Sequence, residues 1–441
     1  MEFFVLSSMI IPRPKKKNTP KMKNKTCFVG IDLGTSGCRA IAIDSNARIL
    51  AEQQKNYHHS AKQTPDLWWK SIRFVLNKLI PALDNPISHI AIDGTSGTLL
   101  LTDKKGKPTS PVLFYNDNRA IKEVIHLRRY ASAESGAHGI GSSLSKLLYL
   151  RKYYPKKSHY YALHQADWAA GQFMQRFGNS DENNCLKLGY DPIKRCWPDW
   201  LDALKIPAHY FPQVYSPSRF LGEIDAKIAT DLGLPLNVKI IAGTTDSIAA
   251  FLATGVQNIG EAVTSLGSTL AIKLISNKAI FAPEYGVYSH RLGHIWLVGG
   301  ASNTGGAVLK QYFSTKKLIT MTKKLPIMEE TGFDYYPLTT KGERFPWANP
   351  EMLPRLSPRP ESDLIFFQAM LEGMAKIEKT AYQRLQALGA PWPSSIRTVG
   401  GGSVNQAWKQ IRQKRLKIPL FDAQQVEAAY GTALLAMGNY L

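Results

Sequence analysis

The chain has 441 residues, 44% of them hydrophobic and 20% charged, which exceeds the size at which a single core stops growing and predicts two domains. No stretch approaches the roughly 18 consecutive apolar residues of a membrane span. No basic run is interleaved with aromatics as in a nucleic-acid stacking platform either, so the formal charge of +21 is read as suiting anionic small molecules. Residues 1–25 carry seven Lys and Arg against one Glu, +6 of that total, and read as a disordered basic tail. The four cysteines (Cys27, Cys38, Cys185, Cys196) form no CxxC, which predicts free thiols and a cytoplasmic protein, monomer or homodimer.

From Thr26 onward, short β-rich runs alternate with helical periodicity, the pattern of an α/β protein. Strands are predicted at 28–32, 39–43, 49–52 and 90–93, with a helix over 65–79 before the last of these. Residues 131–220 are richer in Tyr, Trp, His and Ser and less periodic, and read as an insertion that shapes a substrate pocket. A strand at 239–242 then enters Gly243-Thr244-Thr245-Asp246-Ser247 and a helical run to Ala253. The domain boundary is drawn at 256/257. A second hairpin follows, then a strand at 295–298, a long helix over 362–388 and a strand at 396–399. A turn at 400–403, a helix over 404–413, a strand at 417–421 and a helix over 424–437 complete the chain.

The chemistry-bearing residues sit at the glycine turns. Gly30-Ile31-Asp32-Leu33-Gly34-Thr35-Ser36-Gly37 and Thr264-Ser265-Leu266-Gly267-Ser268-Thr269 each place a Gly-Thr/Ser turn between two apolar runs, so both read as β-hairpins whose backbone and hydroxyls can approach a phosphate. This near-repeat predicts two related halves. In open α/β sheets ligands lie outside the carboxyl ends of strands, so Asp32, Asp93, Asp246 and the 400–402 turn are expected to converge. Neither GxxxxGK[ST] nor a helix-opening GxGxxG is present, which argues against P-loop and Rossmann sites. Taken alone, Asp246 reads equally as a cap for a helix starting at Ser247.

Six segments in this order resemble the FGGY carbohydrate kinases: 30–39, 243–250, 264–269, 299–306, 400–408 and 427–436. The resemblance implies a two-domain actin/sugar-kinase (ribonuclease H-like) fold with a cleft for nucleotide and sugar between the domains, and use of ATP and Mg2+. It makes Asp246 the general base that accepts the proton of the attacking hydroxyl. Asp32 would meet the magnesium through water, since a carboxylate beside a phosphate turn otherwise repels it. Gly34, Thr35, Ser36 and Arg39 would lie on the phosphates from one domain and Gly267, Ser268 and Thr269 from the other, with Arg39 reading equally as a solvated charge. Gly306, Gly401, Gly402 and Asn405 would lie on the adenine side, the last three otherwise forming a plain strand-to-helix turn.

The acceptor is read from departures within that family. Xylulokinases carry a Met-His pair where this chain has Ile92-Asp93-Gly94-Thr95-Ser96-Gly97-Thr98, and the chain is most similar to the compact D-ribulokinases of plants and cyanobacteria once labelled xylulose-kinase-like. That implies D-ribulose as acceptor, giving D-ribulose 5-phosphate, with Asp32, Ser96 and Asp246 on the sugar. D-xylulose is the alternative, and an actin-fold ATPase without a sugar the more distant one. His164, Gln165, Asp167 and Trp168 are further pocket candidates, although Asp167-Trp168 reads better as a helix start with a core tryptophan.

Overall fold

The computed structural model describes residues 26–58, 63–139, 141–325 and 329–438, so the basic tail at 1–25 lies outside the described residues. Among the described residues there are sixteen strands. The first ten are β1 (Cys27–Leu33), β2 (Gly37–Ile43), β3 (Ile49–Asn56), β4 (Ile87–Gly94), β5 (Leu99–Thr102), β6 (Tyr161–His164), β7 (Asn179–Asp181), β8 (Gln213–Tyr215), β9 (Phe220–Glu223) and β10 (Lys239–Thr245). The others are β11 (Glu261–Leu266), β12 (Leu270–Ser276), β13 (Tyr288–Leu292), β14 (Ile295–Ser302), β15 (Ser395–Val399) and β16 (Leu420–Asp422). The α-helices are α1 (Pro65–Leu79), α2 (Ile121–Leu127), α3 (Ser143–Tyr153), α4 (Gln165–Met174), α5 (Glu182–Cys185) and α6 (Ala226–Leu232) in the first half. Then come α7 (Asp246–Ala253), α8 (Gly306–Tyr312), α9 (Thr315–Lys324), α10 (Asp363–Ala387), α11 (Gln406–Leu416) and α12 (Ala428–Met437).

Two six-stranded sheets organise the chain, in the orders β3-β2-β1-β4-β10-β9 and β13-β14-β12-β11-β15-β16. Within each, a hairpin pairs antiparallel, β1 with β2 and β11 with β12, and the first strand of the hairpin then pairs parallel with a distant strand, β4 or β15. A further parallel neighbour follows, β10 or β16. The two related halves expected from the glycine hairpins are therefore present as a repeated topology.

α1 begins where Thr64 accepts the backbone N–H of Leu67 and Pro65 occupies the first turn, and its apolar stripe (Trp68, Ile72, Val75, Leu76, Leu79) is buried against the first sheet. α10 is the long spine of the second core, capped by Ser362 and burying Phe366, Phe367, Met370, Met374 and Tyr382. A third core joins the halves, combining Phe28, Ile41 and Ala91 of the first sheet with Val263, Ile275 and Leu297 of the second and with residues of α7 and α12.

The last helix does not stay with its own half. α12 lies against β1, β2, β4 and β10 and crosses α7. Two glycines permit this, because a Cβ on Gly30 would stand 2.1 Å from the carbonyl oxygen of Ala429, and one on Gly431 would stand 1.9 Å from that of Ala249. Gly30, read from the sequence as the start of a phosphate turn, thus serves helix packing.

Residues 131–220 are less irregular than expected. They build a satellite core with Leu99, Leu101 and Leu113, including Leu144, Leu147, Leu150, Leu188 and Tyr210. Asp167 and His164 form a reciprocal cap at the start of α4 and Trp168 is buried, so these are structural residues. All four cysteines are unpaired, and among the described residues no helix is long and apolar enough to cross a membrane.

Candidate active site

Three carboxylates meet at the carboxyl ends of three adjacent parallel strands. Asp32 of β1 and Asp93 of β4 are register partners, and Asp246 follows directly on β10, the next strand of the sheet. Asp246 is the first residue of α7 and its cap residue is Thr245, so the helix starts one residue earlier than expected and Asp246 is not the cap itself. Its Oδ1 accepts the backbone N–H of Ser247 at 2.7 Å, and the carboxylate also accepts the N–H of Ser96. Burial raises its pKa, opposed by these N–H groups and by the positive charges of Lys187 and Lys273. The carboxylate is thus fixed from two chain segments while still reaching the cleft.

Asp32 and Asp93 behave as a pair. Asp93 is fully buried and accepts a hydrogen bond from the hydroxyl of Thr432 on α12. The two carboxyls adjoin each other, and Oδ1 of each is buried without a hydrogen-bond partner. Burial pushes Asp32 up to about 6 and Asp93 well above the usual carboxylate range, with the charge of Asp246 adding to both. Burial thus favours the neutral form of Asp93, whose proton gives the pair a donor.

The segment after β4 is held from several sides. The Thr95 hydroxyl and N–H both donate to Oε1 of Gln165, at 2.8 and 3.0 Å, and the Thr98 hydroxyl meets that of Thr95 at 2.6 Å. Buried Lys146 donates to the carbonyls of Gly97 (2.7 Å) and Phe114 (2.6 Å), and burial pulls its pKa down to about 7. Ser96 is left half-buried beside Asp246. Gln165 is therefore a support for this segment rather than a pocket wall.

At the first hairpin, Gly34 N–H closes the turn on Gly37 C=O at 3.0 Å, and Thr35 and Ser36 are exposed. Their carbonyls accept Gln63 Nε2 (2.7 Å) and Tyr57 N–H (2.8 Å), which anchors the turn. Arg39, register partner of Asp32, donates to Gln54 Oε1 at 2.6 Å and pairs with Glu427 at 3.2 Å. Its charge ties β2 to the residue preceding α12.

Three loops of the second half converge. Gly306 N–H donates to Gly267 C=O (2.9 Å), Ala307 N–H to Ser268 C=O (3.1 Å) and Gly402 N–H to Leu266 C=O (2.8 Å), while Ser268 and Thr269 stay exposed. Gly401 faces open space, whereas a Cβ on Gly402 would stand 2.7 Å from Leu266 and from Trp408. Asn405 Oδ1 accepts the N–H of Trp408 at 2.9 Å, so this residue caps α11 instead of offering that oxygen to a base.

Sequence reasoning missed two cations here. Lys273 Nζ on β12 donates to Ser247 C=O at 2.6 Å, and Lys187 Nζ lies 3.5 Å from Ser96 C=O. Burial lowers both pKa values, that of Lys273 to about 8, and with their charges it holds buried His290 well below the usual imidazole value. A charged residue inside the otherwise apolar run 270–275 was the available signal for Lys273. Lys187 also lines a cavity of about 740 Å3 bounded by Arg128, His138 and Ser142 on one side and Tyr288, Asn303 and Arg344 on the other. Among the described residues no group of three or more His, Cys, Asp or Glu is placed to hold a metal ion.

With this geometry in view, comparison with known proteins is informative. The family models described as "FGGY family of carbohydrate kinases, N-terminal domain" and "C-terminal domain" match residues 27–253 and 262–440. The chain is 22% identical over 420 residues to a xylulose kinase of Escherichia coli (strain K12), covering 87% of this chain and 84% of that one. In structure it is similar to a xyloylose kinase from Brucella ovis (TM-score 0.84, 22% identity, 93% and 90% covered). It is likewise similar to a gluconate kinase from Lactobacillus acidophilus (TM-score 0.82, 17% identity, 93% and 89% covered).

Proposed function

The chain belongs to the FGGY family of carbohydrate kinases, and from that premise we propose that it transfers the γ-phosphoryl group of ATP to a terminal hydroxyl of a ketopentose, with D-ribulose as the preferred acceptor. The observation that carries this reading is the Asp246 carboxylate, held by the N–H groups of Ser247 and Ser96 at the ends of three parallel strands. A carboxylate so placed accepts the proton of the attacking hydroxyl as the new P–O bond forms and the bond to ADP breaks. Asp32 and Ser96 would bind the sugar beside it. Support for D-ribulose comes from the likeness of the 93–98 segment to that of the compact D-ribulokinases; within it Asp93, Thr95 and Thr98 are engaged in internal hydrogen bonds, and Ser96 lies half-buried beside Asp246. D-xylulose is the second reading, favoured by the relatives named xylulose kinase at 21–25% identity.

The exposed hydroxyls and backbone of 34–36 and 267–269 would hold the phosphates, and the 306 and 401–402 turns the adenine side. Magnesium bound with ATP would neutralise phosphate charge. The half-buried Asp32 carboxylate beside the 34–36 turn suits it, because one carboxylate leaves most positions of a hard cation to water and phosphate oxygens.

The test is a coupled ADP-release assay with ATP and magnesium across D-ribulose, D-xylulose, L-ribulose, ribitol and glycerol. Fast turnover on D-ribulose, lost in Asp246→Ala, is expected. Faster turnover on D-xylulose would transfer the assignment to that sugar, and ATP turnover indifferent to every sugar would overturn the kinase reading.

A further inference from the structure

The base at Asp246 is bracketed by two ammonium groups that belong to opposite halves of the molecule. Lys187 stands just after α5 in the first half, and Lys273 stands on β12 of the second sheet, between buried Ile272 and Leu274. The two residues that fix the carboxylate through their N–H groups, Ser96 and Ser247, present their carbonyls to these same lysines, at 3.5 and 2.6 Å. Each lysine has that backbone carbonyl as its one hydrogen-bond acceptor among the described residues, while an ammonium carries three donors.

The charge balance is unusual for so enclosed a place. Two cations face the Asp246 carboxylate, burial together with both cations holds His290 well below the usual imidazole value, and the two lysines act unfavourably on each other. Burial favours the neutral form of Asp93, so the Asp32–Asp93 pair carries a single negative charge, and Glu427 is paired with Arg39. A fold that needed only to satisfy Asp246 would use one cation, because burying like charges together is costly. Two ammonium groups with unused donors beside the base are what an incoming phosphoryl group, carrying negative charge on its three non-bridging oxygens, requires.

We propose that Lys187 and Lys273 form a cross-domain clamp that hydrogen-bonds the non-bridging oxygens of the phosphoryl group in flight. In the step itself the acceptor oxygen bonds to phosphorus, its proton passes to Asp246, and the P–O bond to ADP breaks with the electron pair leaving on ADP. The lysines donate hydrogen bonds throughout and keep their protons. Because one lysine comes from each half, the clamp is complete only when the halves are closed on each other. This assignment rests on the kinase reading above.

The experiment uses the full chain and the variants Lys187→Met, Lys273→Met and the pair. Turnover of the best ketopentose is measured, together with the calorimetric affinity for inorganic phosphate in the presence of ADP and magnesium, which reads the clamp without an acceptor sugar. Each single variant is expected to lose about 100-fold in kcat, to keep its KM for the sugar within about threefold, and to lose phosphate affinity by about tenfold or more. Lys→Gln variants, which keep a donor for the serine carbonyls without the charge, replace any Met variant that fails to fold. Turnover and phosphate affinity within threefold of the parent in both single variants would overturn the clamp. A parent that turns over no ketopentose would instead sink the kinase reading, and the phosphate affinity would then decide the clamp by itself.

Discussion

The two sheets share a topology and divide the labour. In the first, β1, β4 and β10 run out into Asp32, Asp93 and Asp246; in the second, the equivalent strands β11 and β15 run out into Leu266-Gly267-Ser268 and Gly400-Gly401-Gly402. Where one hairpin has Asp32-Leu33-Gly34-Thr35, the other has Ser265-Leu266-Gly267-Ser268. The counterpart of β10, β16, also ends in a carboxylate, Asp422, but that one is paired with Lys409 at 2.9 Å, so the three carboxylates that meet at adjacent strand ends belong to the first half and the neutral turn donors to the second.

The halves also treat buried charge differently. Beneath the second sheet, Arg412 donates to both oxygens of Glu378 (2.6 and 2.7 Å) and to Thr398, and Thr264 donates to Glu378 at 2.6 Å, so both charges are paired and hydrogen-bonded. Beneath the first, Asp32 and Asp93 are held together with an unpartnered oxygen each. Charge is fully paired deep in the second core and left without full pairing at the strand ends where Asp246 lies.

Substitutions can break this contrast. Asp246→Asn should lower kcat by about 10²–10⁴-fold with little change in unfolding temperature, since the amide oxygen still accepts from Ser247; steady-state kinetics beside a thermal melt checks it. Glu378→Gln should instead leave chemistry intact and cost about 3–5 kcal/mol in urea unfolding, because it strands the Arg412 charge in the core. Replacing both Glu378 and Arg412 by Met should recover much of that loss.

Lys273 sharpens the contrast through pH. Its pKa in the folded protein, about 8, lies below the unfolded value near 10.5, so the unfolded chain holds more protons between these limits and the lysine's contribution to stability rises with pH there. Activity should move the opposite way, falling as pH climbs through about 8 and the ammonium is lost, and parallel pH series of kcat and unfolding free energy would show the divergence. The smallest effect is expected for Asp93→Asn, which keeps a donor for Asp32 and an acceptor for Thr432. A stability change within about 1 kcal/mol should separate it from Asp93→Ala, which strands both partners and should cost about 1–3 kcal/mol.

Much of this was legible in the residue order. Glycine hairpins are local objects, so the two glycine turns, α1 with its Thr64 cap and Pro65, and the placement of Asp32, Ser96 and Asp246 follow from short stretches of chain. Contacts that depend on distant partners were not. Thr432 reaches Asp93 across 339 residues, and Lys273 and Lys187 acquire meaning only when Ser247 and Ser96 are brought to them. Arg39 and Asn405 likewise have structural partners, Glu427 and the α11 N-terminus, that a motif comparison does not reveal. In the 131–220 region, short helices and 3₁₀ turns carry too little periodicity to announce a core of their own.

The position of α12 has a consequence for how the protein is made. Strand β1 is among the first structured segments to leave the ribosome, yet the face of its sheet at Gly30 is covered by residues 428–437. During synthesis that apolar face waits for residues 428–437, so the first half cannot complete its packing until they have emerged. Removal of the final dozen residues should therefore do more than trim a terminus: it should leave the nascent N-terminal sheet uncovered and dependent on chaperones.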